Sequence, residues 1–320
     1  MNGKNDAGAV FDGANSLHGN SVQQSIIDEY LTPRAFEVLM PGGQTIRAYE
    51  IGPPDVPLVI GIHGTPSTGI GHIVNYVIGA PLFCRLVTFD RQGYGGSTPQ
   101  PGRKVRDIVP VVEAILDHLS VEKASVYGHS AGGMLALATA ALLPKRTARV
   151  ACLAGNGPNF GAGGFDYADG TSPLMREEIL QGRKGPQETR EFYRRLASMD
   201  ADDIEEQLYS ENDRRINRLL APLREKMTQL LLPVSPFSEE DAYVDDVQSW
   251  VSPWGFDLDK IVVPTRIFYG LDDLQVARQH CQWLGAQIQN AEMEEFPYLG
   301  HNFNQLMPHV FSWLVRGQRS

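Results

Sequence analysis

Apolar positions in this chain fall into two patterns. Short, continuously apolar runs alternate with longer stretches in which apolar residues recur every three or four positions. Leu58 to Ile62 and Leu86 to Phe89 are of the first kind, which predicts strands buried on both faces of a parallel sheet, and Val150 to Ala154 and Thr265 to Tyr269 read as later strands, each followed by helix-like sequence. Ala124 to Tyr127 and Met293 to Phe296 extend the series. Between Val105 and Leu119, Ile108, Val111, Val112, Ile115, Leu116 and Leu119 recur at helical spacing, so one face of a helix packs on that sheet. Phe36 to Met40 and Thr45 to Ile51 flank Pro41-Gly42-Gly43 and predict a hairpin. Strands followed by helix-like sequence predict an α/β fold with a doubly wound, mostly parallel sheet.

The pattern changes between Asn156 and Val251. Apolar and charged residues mix there, Ser172-Pro173 forms a helix-start pair, and Arg190 to Met199 and Asp213 to Leu232 have helix-forming composition. The strand pattern resumes at Ile261, which predicts a helical insertion over 156–251 into a core made of 25–155 and 252–320. Pro222 is expected to break or kink the last inserted helix. Residues 1–24 are polar and rich in Gly and Asn, so disorder is expected there.

Charge and composition narrow the partners. With 28 Lys and Arg against 38 Asp and Glu in 320 residues, the net charge is −10. No basic surplus is left for nucleic acid or anionic lipid. No apolar run approaches the ~18 residues of a membrane span, and no hydrophobic leader opens the chain. A cytoplasmic protein acting on a small molecule is expected, with no nucleic-acid or membrane partner and a homo-oligomer left open. The three cysteines, Cys84, Cys152 and Cys281, are scattered among apolar elements and read as buried side chains. His and Cys spacing fits no metal motif, so neither metal nor cofactor is expected.

Candidate chemistry centres on Gly128-His129-Ser130-Ala131-Gly132, which lies between the strand at Ala124 and the helical run from Met134 to Leu143. A serine on such a strand-to-helix turn presents its hydroxyl above the sheet, and the flanking glycines avoid Cβ clashes. A serine nucleophile needs a base, an acid that orients the base, and two amides for the oxyanion. His301, after the last strand, and Asp273, just past the preceding one, supply base and acid in the order Ser, Asp, His. Ala131 N–H opens a helix and is free to donate. The second amide is expected from Thr65 in His63-Gly64-Thr65-Pro66, with His63 bracing that loop.

These residues, together with Asp90-Arg91-Gln92-Gly93-Tyr94-Gly95-Gly96-Ser97 and the turn from Gly270 to Asp273, resemble the α/β-hydrolase superfamily. The likeness is to members with an H-G-x-P oxyanion loop and a helical cap, and it runs from Phe36 to Leu314. It implies a Ser130, Asp273, His301 triad, a Thr65 and Ala131 oxyanion hole, and a cap over the pocket. Epoxide hydrolases and haloalkane dehalogenases of this fold carry Asp where Ser130 stands, so acyl transfer is indicated. The function implied is that of a cofactor-independent serine hydrolase cleaving an ester, thioester or lactone of a small to medium hydrophobic molecule. Two alternatives stay open. One is peptidase or C–C bond hydrolysis on the same triad, for which Glu205, Glu206, Asp245 and Asp246 could bind a substrate amine. The other is a non-hydrolytic ligand receptor. Phe160, Phe165, Tyr243, Trp250 and Trp254 are candidates for the pocket wall.

Overall fold

The computed structural model describes residues 32–79, 83–159, 166–231 and 238–318. The expectations for 1–24, Phe160 and Phe165 lie outside these residues.

A hairpin opens the fold, with β1 (Arg34–Leu39) antiparallel to β2 (Thr45–Ile51). Alternating elements follow: β3 (Leu58–Ile62), α1 (Gly69–Gly79), β4 (Arg85–Phe89), α2 (Ile108–His118), β5 (Ala124–His129), α3 (Ala131–Leu142) and β6 (Thr147–Leu153). Five helices come next, α4 (Pro173–Lys184), α5 (Pro186–Ala197), α6 (Ala201–Leu208), α7 (Glu211–Leu231) and α8 (Glu239–Trp250). The chain then returns to β7 (Thr265–Gly270), α9 (Arg278–Gln287), β8 (Ala291–Phe296) and α10 (Met307–Leu314). The eight strands form one sheet in the order β1-β2-β4-β3-β5-β6-β7-β8. All its pairings from β4 to β8 are parallel, and β2 joins β4 antiparallel.

Both faces of the sheet are covered, which explains the unbroken apolar runs. In β3, Leu58, Ile60 and Ile62 pack with α2 and α3 on one face. Val59 points the other way, into the cluster with α1 and α10. In β5, Val126 and Tyr127 divide in the same manner. Helix α3 is buried along nearly its whole length, and its Ala and Gly content lets it lie close to the strands. The serine turn, the loop after β3 and the turns after β7 and β8 all leave the C-terminal ends of parallel strands, where open α/β sheets place their ligands.

Two local expectations need amendment. α1 was not apparent in the sequence, because Gly69, Gly71 and the β-branched Ile73, Val74 and Val77 all lower helix propensity. Burial of Ile70 and Ile73 against the sheet overrides it. Pro222 does not end its helix, since α7 continues through it. The carbonyl that loses its donor belongs to Arg218, an exposed residue of the helix.

Candidate active site

Ser130 sits between β5 and α3 with φ 57° and ψ −125°, a left-handed conformation that is costly for any residue with a Cβ. Its amide donates to Leu153 O at 2.9 Å, which ties the turn to β6. Gly128 and Gly132 allow the tight turn: a Cβ on Gly128 would lie 1.9 Å from Gly132 O, and one on Gly132 would lie 2.1 Å from Ile62 O. Gly64, in the loop after β3, comes so near that its Cβ would stand 3.0 Å from Ser130 Cβ. Thr65 is therefore on Ser130's flank, and Ala131 begins α3 directly behind it.

His301 Nδ1 donates to Asp273 Oδ2 at 2.8 Å, and both side chains are buried. Asp273 Oδ1 in turn accepts from the amides of Gln275 at 2.8 Å and Val276 at 2.9 Å, so the carboxylate is fixed from below. Asp272 instead uses its amide, on Leu299 O at 3.0 Å, and its side chain is exposed. Burial pulls the His301 imidazole down, but Asp273 on its ring and Asp213 nearby more than reverse this, and its pKa rises above the usual histidine value. His129 supports the same loop: its Nε2 donates to His301 O at 2.8 Å, and the two rings lie 4.6 Å apart.

The histidine loop is also gripped by the start of α7. Asp213, fully buried, accepts from the amides of His301 at 2.8 Å and Asn302 at 2.9 Å. Asn217 Oδ1 accepts from Asn302 Nδ2 at 2.9 Å, and Asn212 Nδ2 donates to Tyr298 O at 3.1 Å. A Cβ on Gly300 would fall 1.8 Å from Asp213 Oδ2, so glycine is what admits the carboxylate.

The loop after β3 is held by charge. Asp246 of α8, 2 % exposed, accepts from Arg91 at 2.8 and 2.7 Å and from Arg103 at 2.6 Å. Its Oδ2 also accepts from Tyr94 Oη at 2.8 Å and Thr65 Oγ1 at 2.5 Å. Burial alone would raise this carboxyl, but Arg91 and Arg103 hold it well below the usual carboxylate range. Arg91 Nη2 further donates to Gly64 O and Thr65 Oγ1, both at 2.9 Å. His63, buried and beside Arg91, has its pKa driven well down and stays neutral. Its Nδ1 donates to Gly64 O at 2.8 Å while its Nε2 accepts from the Arg91 amide at 3.0 Å, which makes it a brace rather than a base.

Two cavities meet at Ser130. One, of about 320 Å³, has largely polar walls that include His72, His129, Asn217, His301, Asn302 and Asn304. The other, of about 360 Å³, lies under the inserted helices against Leu174, Met175, Phe192, Leu196, Leu208 and Trp250. Thr65, Ser130, Tyr209 and Gln275 border both. Tyr243 lines the apolar chamber as well, whereas Trp254 does not. Trp254 stacks on Phe256 and accepts from the Arg106 amide through its carbonyl, and it borders a separate surface hollow. Among the described residues no group of three or more His, Cys, Asp and Glu could hold a metal ion, and no helix is long and apolar enough to cross a membrane.

Three of the four acids named as candidates for a substrate amine bond within the protein. Asp245 accepts from Arg103 at 3.3 Å and from Gly102 N at 2.9 Å, Asp246 is fully used, Glu205 accepts from Asn217, and Glu206 is exposed. Asp213, Arg91 with Asp246, and the buried Glu178 of α4 escaped the sequence reading. Each works through a contact between segments far apart in the chain, and no local spacing signals it.

A family model described as the alpha/beta hydrolase family matches residues 59–312. The chain is 33 % identical over 121 residues to the dihydrolipoyllysine-residue acetyltransferase component of the acetoin cleaving system of Pseudomonas putida, covering 36 % of this chain and 31 % of that protein. It is 35 % identical over 115 residues to epoxide hydrolase B of Mycobacterium tuberculosis, covering 34 % and 32 %. It thus spans about a third of the length of these relatives. Among solved structures, the enol-lactonase from Burkholderia xenovorans LB400 superposes with a TM-score of 0.62 at 16 % identity, over 87 % of this chain and 97 % of that one. The thermophilic esterase from Thermogutta terrifontis gives 0.60 at 18 %, over 88 % and 95 %. At such identities the structures share the fold, and the family model spans most of the sequence. The chain belongs to the alpha/beta hydrolase family.

Proposed function

We propose that this protein is a cofactor-independent serine hydrolase that cleaves an ester, thioester or lactone through an acyl-enzyme. The observation that carries this reading is the buried His301–Asp273 pair facing the same cavity as a serine held in strained left-handed backbone. Ser130 Oγ attacks the acyl carbon while His301 Nε2 takes its proton, and Asp273 stabilises the imidazolium. The amides of Thr65 and Ala131 receive the developing oxyanion. His301 then returns the proton to the departing oxygen or sulfur, and a water deprotonated by the same imidazole releases the acid.

The helices between β6 and β7 act as a cap, and their apolar chamber favours a hydrophobic acyl or alcohol part. Engagement of Asp245, Asp246 and Glu205 within the protein speaks against recognition of a substrate ammonium by those residues. The esterase and enol-lactonase that share this fold agree with such chemistry.

Labelling with a small fluorophosphonate tests the reading. Ser130 is expected to be modified, and label and turnover of a chromogenic ester are expected to vanish together in Ser130→Ala. Labelling elsewhere would overturn the assignment. In the cap, Phe192→Ala is expected to change the ratio of kcat/KM between short and bulky esters while Ser130 labelling persists. An equal change for all esters would remove the cap from specificity.

A further inference from the structure

The chamber above Ser130 is apolar except for a few groups, and those have unusual bonding. Glu178 stands on α4 beside Leu174 and Met175, on the face turned to the chamber, and is 7 % exposed. Its Oε1 accepts from the Tyr243 hydroxyl, and its Oε2 has no hydrogen-bond partner among the described residues. Asn156, just past β6, contributes a second unpartnered acceptor, Oδ1, and Gln275, two residues beyond Asp273, an unpartnered donor, Nε2. All three residues come from different elements and border the same chamber as Ser130.

Leaving buried polar atoms unpaired is costly, so native proteins keep few of them and partners commonly supply the missing bonds. An orphan donor together with orphan acceptors calls for a group that donates to one of the acceptors and accepts from Gln275 Nε2. An alcohol hydroxyl does so, whereas an ammonium only donates. Burial also pushes Glu178 up to about 7, which disfavours the full carboxylate charge an ammonium would require. We infer that Glu178, with Asn156 and Gln275, forms a subsite for a hydroxyl carried on the otherwise apolar part of the substrate, so that the substrate class is a hydroxylated aliphatic ester.

This inference rests on the serine-hydrolase reading, and the two can fail separately. Matched esters are compared in two series, with a terminal hydroxyl on either the acyl or the alcohol chain, each beside its deoxy and amino analogues. The wild type is expected to favour the hydroxyl ester over the deoxy parent by tenfold or more in kcat/KM in one series. Glu178→Leu is expected to abolish that preference, read as the ratio of kcat/KM between the hydroxyl and deoxy esters, while fluorophosphonate labelling of Ser130 persists. Glu178→Gln, which keeps an acceptor, is expected to retain part of the preference and serves if the leucine variant does not fold. Absence of a hydroxyl preference in both series, a preference unchanged in Glu178→Leu, or stronger turnover of the amino esters would each overturn the subsite. Loss of Ser130 labelling in the wild type would instead overturn the hydrolase mechanism.

Discussion

Two carboxylates from the inserted helices reach into the active site, and they do so on different terms. Asp246 holds the loop after β3 and meets two arginines and two hydroxyls. Asp213 holds the loop after β8 and accepts from backbone amides, with no lysine or arginine paired to it among the described residues. The first charge is neutralised where it lies, so its task is to fix geometry. The second is not, and its field reaches the neighbouring imidazole. One loop is therefore clamped, while the other is clamped and electrostatically tuned.

The largest effect sets the scale for both. Ser130→Ala is expected to lower turnover by about three orders of magnitude or more with an unchanged thermal midpoint, since the serine is served by both loops but supports neither. Kinetics and thermal melting measured on one preparation check it. Asp246→Ala inverts this profile. Two arginines would be stranded in the interior, and a loss of about 3–5 kcal/mol in chemical denaturation is expected. If that variant keeps wild-type stability, the clamp is not a stability element and the comparison breaks.

Asp213→Asn is expected to reduce kcat by about tenfold to a hundredfold with little change in KM, because one oxygen still accepts while the new NH₂ faces a backbone donor. The pH profile separates tuning from clamping. His301 must be neutral to act as base, and its raised pKa places the acid limb of kcat/KM above about 6.5. Removing the Asp213 charge lowers that pKa, so the limb should move to lower pH. Measuring in the Glu178→Leu background removes a second group titrating near 7. A limb that stays in place would reduce Asp213 to a purely mechanical role. The smallest effect is expected for Asp272→Asn, within about threefold of wild type in kcat/KM, because its exposed side chain lies off the Asp273–His301 bond.

What the sequence disclosed follows the same division. Ser130, Asp273 and His301 could be picked out as candidates because each follows a strand, within three residues of a glycine. The centre of the sheet was legible because strands buried on both faces, such as β3, must be apolar throughout. Asp213 was not, and Asp246 was read as a possible ligand for a substrate amine rather than as the partner of Arg91 and Arg103, since a carboxylate on a charged helix looks alike whether it faces water or an amide 88 residues away, as Asp213 does. α1 was hidden for the opposite reason: its propensity was poor, and burial alone made it a helix.

The two anchors also limit how freely such a scaffold can be recombined. Insertions between strands are attractive units for exchange, because a foreign helical segment could in principle carry a new specificity onto an unchanged catalytic base. Here such a graft would remove Asp213 from one loop and Asp246 from the other, leaving Arg91 and Arg103 without their shared counter-ion. A chimaera would need to transplant both carboxylates with their helices, or to replace Arg91 and Arg103 and rebuild the histidine loop. On the proposed mechanism, specificity and catalysis would be inherited together.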